Sequence, residues 1–219
     1  MKKEIETIDV IRTLIHEQSS RVTGKARAGV SGKAFEAIVY ILKDLGFCEY
    51  SYQEYLQLLE TSELRKINSF PKRYIVTNVP YESLLAKHAS KSGFPKKNGK
   101  NFQTHTEFVI YADDAKSTEE FPLTENEKFE ARIECKWQEV SGTTQQKLVF
   151  TTLDLHYGPQ EKRIILLVEG AGFGRDLKSF VKEICENRPE WKGCPDMAMK
   201  QIRMMNCDDF ISWANTAFV

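Results

Sequence analysis

The sequence predicts an α/β fold, a central mixed β-sheet flanked by helices. Three observations carry that prediction. Apolar residues recur at helical spacing through the first part of the chain, the period changes to two across residues 106–112 and 129–138, and apolar strand and helix segments then alternate to the end. At 219 residues the chain can bury a substantial core without disulfides or structural metal.

Each element follows from local signals. Residues 4–20 carry Ile5, Ile8, Val10, Ile11, Leu14 and Ile15 at helical spacing, and residues 19–31 read as a basic, Gly/Ser-containing linker. Residues 1–30 are therefore expected to be an N-terminal helical arm with its linker, and residues 31–219 the main domain. An amphipathic helix is expected over 31–45, stopped by Gly46, and a second helix over about 51–67. Residues 73–78 (R-Y-I-V-T-N) read as a short strand, 81–90 as a helix, and 92–105, rich in Lys, Gly and Asn, as an exposed loop. Strands follow at 106–112 and 129–138, joined by a polar loop. A helix is expected over about 143–155, a buried strand over 163–168, a glycine turn over 169–174 and a helix over 175–186. Residues 199–205 form a last strand and 208–217 a last helix.

Composition narrows the class of function. Hydrophobic residues are 41% and charged residues 28%, as in ordinary globular proteins and unlike disordered chains or rods. The longest apolar run, residues 164–168, is far short of the roughly 20 residues a membrane span needs. The start, M-K-K-E-I-E, lacks the apolar core of a signal peptide. Cys48, Cys135, Cys185, Cys194 and Cys207 form no C-x-x-C pair, which predicts reduced thiols in a cytoplasmic protein. The 31 basic and 31 acidic residues cancel, but they are segregated. Between Lys87 and His105 there are five lysines and no acid, whereas Asp113–Glu130 holds seven acids against Lys116 and Lys128. Local patches can therefore act although the total is zero.

The chemistry points to Glu134-Cys135-Lys136. On a strand, residues i and i+2 share a face, so Glu134, Lys136 and Gln138 form one row and Cys135 and Trp137 another. The bland reading of such a row is a solvated sheet face. A hairpin centred near residues 120–121 would set Glu107 opposite Glu134, crowding two carboxylates and an amine. That crowding is costly unless a cation such as Mg²⁺ joins them. Asp113 and Asp114 compete with Glu107 for the role of first acid; pairing Asp113 with Glu134 would move the centre to about 123–124. The other E-x-K, Glu190-Trp191-Lys192, lies between Pro189 and Gly193 in an expected loop. The turn Gly170-Ala171-Gly172-Phe173-Gly174 has G-x-G-x-G spacing, not that of a dinucleotide loop, and reads as a tight turn needing positive φ.

This arrangement resembles the PD-(D/E)XK nuclease superfamily, in its type II restriction-endonuclease-like branch. The likeness rests on an acid on one strand (Glu107), a hairpin, and Glu134-Cys135-Lys136-Trp137-Gln138 in the E-x-K-x-Q form, over roughly residues 30–185. The first acid is Glu where the family usually has Asp, and the literal Pro195-Asp196 falls after the E-x-K. The resemblance implies a restriction-endonuclease-like core and a Mg²⁺-dependent endodeoxyribonuclease, a hydrolase leaving 5′-phosphate and 3′-hydroxyl ends. Mn²⁺ would substitute for Mg²⁺. It implies Glu107, Glu134 and the Cys135 carbonyl as metal ligands, Lys136 as the group that positions water and offsets charge, and Gln138 and Glu36 as supporting catalytic residues. Double-stranded DNA would be met by Lys33, Thr143, Lys147, Lys96, Lys97 and Lys100, and cutting both strands implies a homodimer. Alternatives within the same fold are a junction, repair or nicking nuclease, or a catalytically inactive DNA- or protein-binding member.

Overall fold

The computed structural model describes residues 38–65, 70–83, 103–138, 144–187 and 200–219. The elements run α1 (38–44), β1 (Cys48–Ser51), α2 (Tyr52–Arg65), β2 (Arg73–Glu82), β3 (Gln103–Ala112), β4 (Phe129–Trp137), α3 (Thr144–Tyr157), β5 (Arg163–Glu169), α4 (Arg175–Glu186), β6 (Gln201–Met205) and α5 (Cys207–Phe218). The six strands of the described residues form one mixed sheet in the order of the sequence, β1 to β6. The β2–β3 and β3–β4 pairs are antiparallel; the other three are parallel, with helices as crossovers. This is the α/β mixed sheet flanked by helices that the sequence predicts.

Local chemistry sets the element ends. Gly46, at φ 86°, stops α1, and the Phe47 N–H turns back to the Leu42 carbonyl at 3.0 Å. Ser51 and Glu54 bond reciprocally at the start of α2, and Asn206 and Asp209 do the same for α5, each a capping box. Strand β5 is apolar from Ile164 to Val168 because both its faces are covered.

Two cores lie on opposite faces of the sheet. One joins Ile75, Phe108, Ile110, Phe129, Ala131, Ile133 and Cys135 to Ile38 and Leu42 of α1 and to Phe210, Trp213 and Phe218 of α5. The other joins Ile164, Leu166, Val168 and Ile202 to Leu148 and Leu155 of α3 and to Val181 and Cys185 of α4. Further along this second face, Val76, Val79 and Val109 pack with Tyr52 and Tyr55 of α2 and with Tyr74 and Tyr111.

Several expectations are corrected. Tyr81 and Glu82 belong to β2, not to a helix, because the Tyr81 side chain is buried and its hydroxyl donates to Asp154 Oδ2 at 2.9 Å. Strand β3 starts at Gln103, inside the expected loop. Strand β1 was not expected: it is four residues long and mostly exposed, with no alternation to reveal it. The solvated-face reading of β4 fails as well, since Arg132 and Glu134 are 3% and 4% exposed. The arm and linker expected over 1–30 lie outside the described residues.

Candidate active site

The β3–β4 hairpin pairs Ala112 with Phe129 at its closed end and runs to Phe108 with Ile133. One step further, Glu107 comes level with Glu134. There a side chain replaces the backbone ladder: the Cys135 N–H donates to Glu107 Oε2 at 2.9 Å. Glu134 and Lys136 project from the face that α3 and α4 cover, beside Leu166 and Val168 of the neighbouring strand. Lys136 Nζ donates to Glu134 Oε1 in a close ion pair. Glu134 Oε2 is buried and has no hydrogen-bond partner.

Burial, and then the nearby Glu107 carboxylate, push the Glu134 carboxyl above the usual glutamate range, while the Lys136 cation pulls the other way. Burial would lower Lys136, but Glu134 and Glu107 outweigh it and hold the amine above its ordinary value. The Cys135 thiol is also driven up, first by burial and then by both carboxylates. Its sulfur stays protonated and lies in the core of the opposite face, so only the backbone of Cys135 serves the site.

Supporting groups surround this trio. Arg132, one face-step before Glu134, donates to both oxygens of Glu161 at 2.6 Å, to the Val79 carbonyl at 3.0 Å and to Thr106 Oγ1 at 2.8 Å. Its guanidinium stacks on Tyr81, 5.2 Å from the ring centroid. Beyond Lys136, the glycine turn grips the backbone of Gln138. The Gln138 N–H donates to the Glu169 carbonyl at 3.0 Å, and its own carbonyl accepts from the Gly172 N–H at 2.8 Å. A Cβ at Gly170, where φ is 98°, would lie 2.1 Å from the Gln138 oxygen. The turn is thus a clamp on the site strand, consistent with the tight turn expected. Glu169 faces away from the trio and accepts from the Cys207 N–H at 3.1 Å, at the start of α5.

The structure brings Glu107, Glu134, Cys135 and Lys136 together, with Gln138 next along the strand. Asp113 pairs with Lys128 and Asp114 with Arg73 at the other end of the hairpin. Lys147 is exposed on α3. Glu36, Lys33, Thr143, Lys96, Lys97 and Lys100 lie outside the described residues. Sequence reading missed Arg132, Glu161, Tyr81 and Asp154. The available signal was indirect: the apolar run 164–168 marks both faces of β5 as covered, and β4 lies beside it.

The residues present fit a hard divalent cation. Such an ion takes oxygen ligands, and the two carboxylates supply them, one through an oxygen that is buried without a partner. Among the described residues no group of three or more His, Cys, Asp or Glu side chains gathers to hold a metal. A cation here would therefore rest on two carboxylates, a main-chain carbonyl and oxygens from water or substrate, the open coordination that catalysis on a phosphate requires.

A family model described as a PD-(D/E)XK nuclease superfamily domain matches residues 28–218. No curated protein and no solved structure gives a match.

Proposed function

We propose, from the premise that the chain belongs to the PD-(D/E)XK nuclease superfamily, that it is a Mg²⁺-dependent endodeoxyribonuclease of the type II restriction kind, acting on double-stranded DNA as a homodimer. The observation that carries the reading is the buried Glu134, with one oxygen unpartnered, held between Glu107 and Lys136.

In this reading Glu107, Glu134 and the Cys135 carbonyl hold the ion. Such an ion would supply Lewis-acid polarisation of the scissile phosphate and activation of a water for attack. Lys136 is kept protonated by its two carboxylate neighbours, so it serves as a cation and hydrogen-bond donor toward the phosphoryl oxygens and not as a base. The Glu107–Cys135 hydrogen bond fixes the first acid against the strand that bears the second. The grip on Gln138 fixes the far end of that strand. Lys147, exposed on the helix that follows, is a phosphate contact.

The experiment is incubation of the purified protein with plasmid and phage DNA in Mg²⁺ and then Mn²⁺, beside Lys136→Ala. Discrete fragments that vanish in the variant, with its fold retained by circular dichroism, are the expected result. Cleavage undiminished in Lys136→Ala overturns the assignment. Cutting confined to nicked or branched substrates would move it to a junction or repair nuclease of the same fold.

A further inference from the structure

Strands β2 and β3 change faces in mid-course, and they do so beside the candidate acid. Val76 and Val79 are three residues apart, yet they pack in one cluster with Val109. In an unbroken strand an odd spacing sends side chains to opposite faces. Thr106, three residues before Val109, also reaches the Val109 side: its hydroxyl accepts from Arg132, the cross-strand neighbour of Val109. Both strands therefore swap faces between the Thr77–Phe108 pair and the Val79–Thr106 pair. Asn78 and Glu107 occupy that one step. Asn78 has φ 57°, in the left-handed region that asparagine tolerates better than other residues with a Cβ.

Past the swap, Arg132 holds both strands down, through the Val79 carbonyl on β2 and the Thr106 hydroxyl on β3. The β3–β4 pairing ends at the same level, at Phe108–Ile133, and there the Glu107 carboxylate takes the Cys135 N–H.

We propose that Asn78 is a positioning residue for the candidate site: its left-handed backbone turns the β2–β3 ribbon over at the level of Glu107 and so delivers that carboxylate to the Cys135 N–H beside Glu134. The inference deepens the nuclease reading and rests on it for the metal readout alone. Asn78 is exposed and its backbone is what matters, so glycine should replace it and a β-branched residue should not.

The test uses the full chain with Asn78→Gly, Asn78→Ala and Asn78→Val. Two quantities are read: hydrogen exchange at the Cys135 amide by NMR, and Mn²⁺ affinity by titration calorimetry. Asn78→Gly should match the parent in both. Asn78→Val should weaken Mn²⁺ binding about ten- to hundredfold, as loss of a supporting contact does at metal sites. It should also speed Cys135 amide exchange by about tenfold or more. Asn78→Ala should fall between, and it decides the matter if the valine variant does not fold. Parent-like values in the valine or alanine variant overturn the proposal. So does a glycine variant as impaired as valine, because the side chain and not the backbone would then be at work. If the parent neither binds Mn²⁺ nor cuts DNA, the nuclease reading fails, while the Cys135 amide still decides the role of Asn78.

Discussion

Glu134 is the residue in which structure and chemistry conflict most openly. Its carboxyl is raised by burial and by Glu107, so in the metal-free protein the folded state binds a proton more tightly than the unfolded state does. The sign follows: stability is lost as pH rises from the ordinary glutamate value, about 4.3, up through the raised folded value. A divalent cation needs the ionised form and reverses the trend. Thermal melts should therefore show a larger Mn²⁺-induced rise in Tm at pH 8 than at pH 5.5. Glu134→Gln should lose that rise at both pH values; a Mn²⁺ effect that is independent of pH, or retained in the variant, contradicts this account of the site. At this scale much was legible in advance. The hairpin centre near 120–121 is the register found, Phe108 with Ile133, because strand alternation fixes the faces and apolar matching fixes the pairing. Asn78 was not legible: an asparagine in a β-rich stretch carries no mark of a left-handed backbone until its neighbours are seen to change faces.

Among the elements, the glycine turn after β5 shows how a motif can mislead by its name and inform by its geometry. Its spacing suggested only a turn. What the turn does depends on a contact with β4, distant in sequence, that no local pattern encodes. Gly170→Ala places a methyl group against the Gln138 carbonyl and forces a left-handed backbone on a residue with a Cβ, the second of which alone costs about 1–2 kcal/mol. Urea denaturation should show at least that loss, and metal affinity should fall with it because the end of the site strand must move. An unchanged midpoint would show that the clamp carries no strain. The misreading of β4 has a related cause. Its alternation of charged and apolar residues is the pattern of a half-solvated strand, yet Arg132 and Glu134 are buried and bonded. Alternation reports which residues share a face and not whether that face is wet.

For the molecule as a whole, the polar row of β4 divides one face of the sheet into two apolar clusters, and the buried Arg132–Glu161 pair sits on the divide. Glu161→Gln leaves Arg132 buried without its counter-charge and should cost about 3–5 kcal/mol of stability in denaturant titrations. A loss under about 1 kcal/mol would mean that the pair is as weak as an exposed one. The segregated charges visible in the sequence gain a meaning from the topology. Asp113 and Lys128, the two ends of the acid-rich connection, pair at the closed end of the hairpin, about 20 Å along β4 from Glu134 at roughly 3.3 Å per residue, while the acids between them fold back beside α5. Because the strands are laid down in spatial order, each can join the sheet as it emerges, yet the core behind β3 and β4 is closed by Phe210, Trp213 and Phe218 of α5, in contact with the cluster that α1 began. A nascent chain can thus carry every residue of the site while the floor beneath it is still open to water. That floor closes only when α5 docks on the sheet.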